Sequence, residues 1–254
     1  MIAANTIDLV IPVLNEAHVL ETSIKTVASF LGANLRQYWQ IVIVDNGSTD
    51  GTREVAERIC DSMPRIRFVH LQQRGRGRAL RHAWLQSKAD IVCYMDVDLS
   101  TKLEHIPELI DAIARDGYDL ATGSRLMRES RTTRSLKREI ISRGYNLLVK
   151  GVLWTRFTDA QCGFKALSRR AVDAIVPEIS DQSWFFDTEL LVLAEKQGYR
   201  IKDIPVVWVE DDDSRVKIFQ TGWDDIKGVM RLRRQLWSRR QVGVPVTNSG
   251  RRRQ

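Results

Sequence analysis

The chain has little cysteine. Cys60, Cys93 and Cys162 are the only three in 254 residues, far apart and odd in number. Such spacing fits neither a zinc site nor a disulfide framework, and makes a reducing compartment the expected one. No stretch approaches the roughly 18 consecutive apolar residues that cross a bilayer, and the first residues lack the charged and apolar regions of a signal peptide. The chain is therefore expected not to span a membrane. It has no internal repeat. Its Arg74 to Arg78 stretch, rich in Gly and Arg, lacks the G-K-[ST] ending of one phosphate loop and follows the wrong strand spacing for a dinucleotide fingerprint.

What is present is length enough for one large domain with a substantial core, and a net charge of +7. The excess lies mainly in Arg74 to Arg81, Arg125 to Arg143 and Lys227 to Arg253, while Asp211-Asp212-Asp213 gathers acid. An anionic partner is implied, be it a nucleotide, a phospholipid surface or a nucleic acid. Short β-rich runs then alternate with helical patterns: strand 6–11, helix 16–32, strand 40–44, helix 51–62, strand 66–70, helix 76–87, strand 90–95, helix 103–116 and strand 118–122. Alternation of this kind predicts an α/β fold with a mostly parallel central sheet flanked by helices. Residues 136–154 read as an amphipathic helix, 158–169 as a turn-rich stretch, 185–197 as a helix and 201–209 as an alternating strand. The expected division is a catalytic domain over 1–217, with a nucleotide-binding part at 6–122 and an acceptor-binding part at 123–217. A basic amphipathic segment at 218–240 and a tail of mobile composition at 241–254 follow.

Ligands in such sheets bind beyond the carboxyl ends of the strands. Pro12 to Glu16, Asp45 to Asp50 and Asp96 to Asp98 all fall there. Asp96 and Asp98 leave a buried-looking strand on alternate residues, so the pair can hold a divalent cation against a phosphate-bearing ligand. Asp45 can accept hydrogen bonds from a pyrimidine or ribose, while Asn46 to Thr52 equally makes a capped turn. Pro12, Asn15 and Glu16 would also serve as an ordinary turn and cap. Gly75-Arg76-Gly77 allows close backbone approach, with Arg76 or Arg78 toward a phosphate. Arg138 and Ser142, four apart, share a helix face on which a phosphate can be gripped; a solvated basic face is the plainer alternative.

The combination of I-P-V-L-N-E at 11–16, V-D-N-G-S-T-D-G-T at 44–52, R-G-R-G-R-A at 74–79, D-V-D-L-S at 96–100, G-S-R at 123–125, K-R-E-I-I-S-R-G at 137–144, D-A-Q-C-G-F-K at 159–165 and W-F-F-D-T-E-L at 184–190 resembles the family 2 glycosyltransferases of the GT-A fold. It looks most like the branch that moves a sugar onto dolichyl or other polyprenyl phosphate. The likeness covers residues 6–217. It implies an inverting, metal-dependent hexosyltransferase, with UDP-glucose favoured as donor over GDP-mannose and Mg²⁺ or Mn²⁺ as cofactor. The implied donor site is Pro12, Asn15, Glu16, Asp45, Gly47, Arg76, Asp96, Arg215 and Lys217, with metal on Asp98 and Asp96. Arg125, Arg138, Ser142 and Arg143 would form the acceptor-phosphate subsite. Asp96, Asp98, Arg125 and Asp187 are the catalytic candidates.

In glycosyltransferases that act on hydroxyl acceptors a carboxylate near Asp187 removes the acceptor proton, but a phosphate acceptor is already ionised and leaves Asp187 free to orient sugar or acceptor. Gly163-Phe164-Lys165 looks like the turn that brings Lys165 or Gln161 near the sugar. Two departures stand out: Ser100 where some relatives have glutamine, and Asp211-Asp212-Asp213-Ser214-Arg215 where relatives have glycine before a Ser-Lys pair. The lipid tail would lie on Ile140, Ile141, Leu147, Leu148, Val152 and Trp154, which could also pack into the core. The resemblance thus implies a cytoplasmic enzyme resting peripherally on the inner face of a membrane, with room for a separate membrane-protein partner and no role for nucleic acid. A soluble saccharide or small metabolite as acceptor is the second reading, and a basic nucleic-acid-binding protein a remote third.

Overall fold

The computed structural model describes residues 5–209 and 218–241. Arg215, Lys217 and nearly all of the expected tail lie outside the described residues. The apolar runs form strands: β1 (Ile7–Val13), β2 (Trp39–Asn46), β3 (Ile66–Leu71), β4 (Ile91–Met95) and β5 (Leu120–Ser124). Between them lie α1 (Ala17–Asn34), α2 (Thr52–Ser62), α3 (Arg76–Gln86) and α4 (Ile106–Ala114). Then follow β6 (Arg131–Thr133), α5 (Leu136–Leu153), β7 (Phe164–Ser168), α6 (Arg169–Ile175), α7 (Phe186–Lys196), β8 (Ile201–Pro205), β9 (Val207–Val209) and α8 (Ile218–Gln241).

The main sheet has the order β3-β2-β1-β4-β7-β5-β8. Its strands run parallel except β7, which pairs antiparallel with both β4 and β5. Period-two alternation divides the core in two. Leu9, Ile11, Ile41, Ile43, Cys93 and Met95 pack with α1, α2 and α4 on one face. Val10, Val42, Val44, Val92 and Tyr94 pack with α3, α5, α6, α7 and α8 on the other.

Two expectations are corrected. The stretch 158–169 is not all turn, because Phe164–Ser168 forms the antiparallel strand β7 in the middle of the sheet. A lysine as its second residue hides the apolar run, since Lys165 is completely buried and lysine rarely is unless paired. The strand expected at 201–209 is two strands divided at Val206: β8 extends the main sheet, and β9 turns away to pair with β6.

Helix α8 belongs to the packed body. Val229 and Leu232 are buried, and Arg231 Nη2 reaches the buried Glu189 of α7 at 2.8 Å. A Cβ at Gly228 would fall 2.6–2.7 Å from ring carbons of Phe185. Gly228→Ala should therefore destabilise the protein despite the ~1 kcal/mol helix-propensity gain of alanine, because overpacking a close contact costs about 1–3 kcal/mol. Urea denaturation should show an earlier midpoint; an unchanged or later one would mean that α8 does not seat on Phe185.

Candidate active site

Strands β1, β2 and β4 end on one edge at Val13, Asn46 and Met95, and their following loops are tied to each other. Asn15, at φ 58°, donates its backbone N–H to Ser48 Oγ at 2.8 Å and accepts from the Thr49 N–H at 2.7 Å. The Glu16 N–H donates to Thr52 Oγ1 at 2.8 Å. Asn46 donates to the Val13 carbonyl at 2.8 Å and accepts from the Gly75 N–H at 3.1 Å, which joins the start of α3 to the same edge. Pro12 is buried within β1 opposite Val44. Asp45 lies opposite His70 in the β2–β3 register. Its carboxylate is fully buried, 2.8 Å from His70 Nδ1, and accepts from the Ser48 N–H at 3.0 Å. Gly47 stands at φ 89°, where a side chain would be strained. Pro12, Asn15, Glu16, Asp45 and Gly47 thus converge, with Asp45 turned into the protein.

Beside them lies a charged network that the strand register assembles. Tyr94 of β4 pairs with Lys165 of β7, and Asp96 shares the sheet face of Tyr94 two residues on. The Tyr94 hydroxyl donates to Asp187, in the first turn of α7, at 2.7 and 2.8 Å. Lys165 Nζ lies 3.0 Å from Asp187 Oδ1 and donates to the Cys162 carbonyl at 2.5 Å. Arg76 Nη2 donates to the Tyr94 hydroxyl at 2.7 Å, and lies 3.3 Å from both Asp187 Oδ2 and Asp96 Oδ1. Its guanidinium is held between the rings of Tyr94 at 5.2 Å and Trp184 at 5.0 Å. Gly163 closes the network from the other side, since a Cβ there would meet Asp96 Oδ2 at 1.9 Å.

Two carboxylates, Asp96 and Asp187, thus face two cations, Arg76 and Lys165. Asp98 adds a third carboxylate, exposed at the mouth. Desolvation pushes the Asp96 carboxyl up to about 6; Arg76 and Lys165 oppose the rise, while Asp98 and Asp187 add to it. A divalent cation placed at this pair would relieve the excess negative charge. An all-oxygen donor set with few protein ligands also suits a hard cation that shares its shell with phosphate and water. No group of three or more His, Cys, Asp or Glu forms a protein cage for a metal among the described residues. Asp98 Oδ1 caps the Ser100 N–H at 2.9 Å, and Leu99 takes φ 55°. The loop is stapled to β9 by the Val209 N–H to the Ser100 carbonyl at 2.9 Å. Ser100 Oγ is buried and without a partner.

Arg125 is engaged elsewhere. Its guanidinium forks onto the fully buried Asp159, Nε to Oδ2 at 2.8 Å and Nη2 to Oδ1 at 3.0 Å, and its backbone N–H adds a third bond at 3.1 Å. Burial works against the ionised Asp159, but Arg125 outweighs it and holds the carboxyl down at about 2. On α5, Arg143 pairs with Glu139 and is more than half exposed. Ser142 Oγ is buried without a partner, and Arg138, half-buried, stands one helical turn before it. The structure brings Arg76, Asp96 and Asp187 into one cluster and sets Arg138, Ser142 and Arg143 along a separate helix.

Sequence reasoning passed over Tyr94, His70 and Asp159. Tyr94 was legible in principle, as the one hydroxyl in the β4 run with the parity of Asp96. Lys165→Met should leave Asp187 buried with Arg76 as its sole cation and cost about 3–5 kcal/mol, as removing one partner of a buried ion pair does. Guanidinium denaturation measures it, and a loss below about 1 kcal/mol would mean that the network is not closed as described.

The family model of glycosyl transferase family 2 matches residues 8–176. Glycosyltransferase AglD of Haloferax volcanii is 38% identical over 217 residues, 84% of this chain and 34% of that protein, so the chain spans about a third of that relative. Dolichyl-phosphate beta-glucosyltransferase of Saccharomyces cerevisiae is 32% identical over 231 residues, covering 84% of this chain and 69% of the relative. In fold, the chain is similar to glucosyl-3-phosphoglycerate synthase of Mycobacterium tuberculosis, solved with Mn²⁺, UDP and glucosyl-3-phosphoglycerate. The TM-score is 0.70 at 19% identity, over 91% of this chain and 80% of that one. The sheet order, the loops gathered at one edge and a match that runs from β1 through α6 agree: the chain is a GT-A protein and belongs to glycosyl transferase family 2.

Proposed function

We propose that the chain moves a hexose from a nucleotide-sugar to a polyprenyl or dolichyl phosphate, with UDP-glucose the favoured donor and GDP-mannose next. The observation that carries the reading is the exposed Asp98 beside an Asp96 braced by Arg76, at the sheet edge where the loops of β1 and β2 converge. Asp98, with Asp96, would hold Mg²⁺ or Mn²⁺, which when bound supplies positive charge to the leaving diphosphate. Arg76 lies where it fixes Asp96 and faces the same anion. An acceptor phosphate oxygen attacks the anomeric carbon as the bond from that carbon to the nucleoside diphosphate breaks. The configuration inverts, and an α-linked donor gives a β-linked lipid phosphate sugar.

No proton has to be removed from an ionised phosphate. That agrees with an Asp187 whose oxygens are already taken by Tyr94, Lys165 and Arg76. The basic positions of Arg138 and Arg143, with the unpartnered Ser142 hydroxyl between them, suit the acceptor phosphate.

An apolar face supports a lipid acceptor. Leu136, Ile140, Leu147 and Trp154 of α5 and its C-cap are 62–82% exposed, and Trp223 and Trp237 of α8 are 62% and 66% exposed. Lys137, Arg138, Arg143 and Lys150 flank that face, an arrangement that suits an anionic bilayer surface. Among the described residues, no helix is long and apolar enough to cross a membrane. The name of the yeast relative, a dolichyl-phosphate beta-glucosyltransferase, points the same way.

The test is transfer of radiolabel from UDP-glucose, GDP-mannose and UDP-N-acetylhexosamines into an organic-extractable product, with a short polyprenyl phosphate and Mg²⁺ or Mn²⁺. One donor should label the lipid, and Asp98→Ala should lower that rate by about a hundredfold or more. Labelling of a water-soluble product alone would favour a soluble acceptor, and full activity of the Asp98 variant would defeat the mechanism.

A further inference from the structure

We infer that Asp225 of α8 is a positioning residue for the transferase site, holding Gln161 and with it the turn 159–163 on which Asp96 and Arg125 rest. That turn touches the site at three points. Asp159 carries the Arg125 fork, the Cys162 carbonyl takes Lys165 Nζ, and Gly163 lies directly against the Asp96 carboxylate. The start of the turn is anchored: the Thr158 N–H to Asp203 at 3.0 Å, the Thr158 hydroxyl to Ser124 at 2.7 Å, and the Ala160 N–H to Asn146 of α5 at 2.8 Å.

At its apex, the Gln161 side chain donates from Nε2 to Asp225 Oδ2 at 2.7 Å. Asp225 is buried, with 3% of its surface exposed. Desolvation lifts its carboxyl to about 7, with the Gln161 bond opposing and Asp181, Asp224 and Asp187 reinforcing. The hydrogen bond that this buried carboxyl makes is to Gln161. The rest of α8 is seated without it, by Val229, Leu232, Gly228 on Phe185 and Arg231 on Glu189. Removing Asp225 therefore loosens the turn at its Gln161 apex rather than the helix.

This role presumes the transfer chemistry proposed above, so one readout needs neither donor nor acceptor. Hydrogen exchange in a peptide spanning residues 158–165 should quicken by about tenfold in Asp225→Ala, the effect of one lost buried hydrogen bond, while Asp225→Asn, which keeps an acceptor for Gln161, exchanges like the wild type. In the transfer assay, Asp225→Ala should lose about tenfold or more in kcat, the size of effect that a displaced reacting group produces. Asp225→Asn should recover the rate.

Wild-type exchange in Asp225→Ala would overturn the inference. So would an Asp225→Asn variant as impaired as the alanine one, since only packing would then be lost. If the wild-type protein transfers no sugar to lipid phosphate while Asp225→Ala still loosens the turn, the acceptor reading falls and the pinning of the turn by Asp225 stands.

Discussion

The contact on which the site depends is the meeting of Asp187 with Lys165, Tyr94 and Arg76 beneath the sheet edge. Lys165 is completely buried and Asp187 nearly so. Charges withdrawn from water to this degree persist only when geometry satisfies them on nearly every side. The β4–β7 register supplies that geometry by setting Tyr94 beside Lys165. Without an antiparallel β7 in the middle of a parallel sheet, Lys165 would have no route to α7, and Asp187 would have one cation fewer. Arg76 then transmits the order outward. It touches the buried Asp187 and the partly exposed Asp96 with one guanidinium nitrogen.

The arrangement has an electrostatic consequence at the mouth. Arg76 and Lys165 balance Asp187 and Asp96, so that Asp98 is the unbalanced charge, and it is the most exposed of the three carboxylates. A cation bound there as proposed would meet an Asp96 that is already placed, because Gly163 and Arg76 hold it from two sides. Preorganisation of this kind matters most where charge changes during reaction, as it does on a departing diphosphate. Arg125 contributes differently: its fork is spent on Asp159, so it shapes the turn beside Asp96.

The parallel half of the fold was legible because β1, β2 and β4 are largely apolar on both faces and end abruptly in Asn, Asp, Gly and Ser, a pattern set by burial. The loops that gather at the sheet edge followed from that order. What stayed hidden was whatever relied on pairing across the sheet. Lys165 disguised β7 as a loop, because a single sequence does not reveal that Asp187 awaits it 22 positions later. Arg125 read as an anion ligand, although Asp159 stands in the same turn-rich stretch that the sequence marked for Gln161, Gly163 and Lys165. Asp225 lay in a segment whose basic, amphipathic character drew attention to its outer face. Its inner face carries the hydrogen bond to Gln161. Patterns of burial are periodic and can be read along the chain, whereas partners of buried charges are fixed by register and crossing and cannot.

The most direct measurement is a crystal structure of the protein with UDP and Mn²⁺. The account predicts the metal bonded to a carboxylate oxygen of Asp98 and to diphosphate oxygens, at about 2.0–2.2 Å as for hard divalent cations, with the Arg76, Asp187 and Lys165 contacts unchanged. A nucleotide bound away from the β4 edge, or a metal held without Asp98, would contradict it.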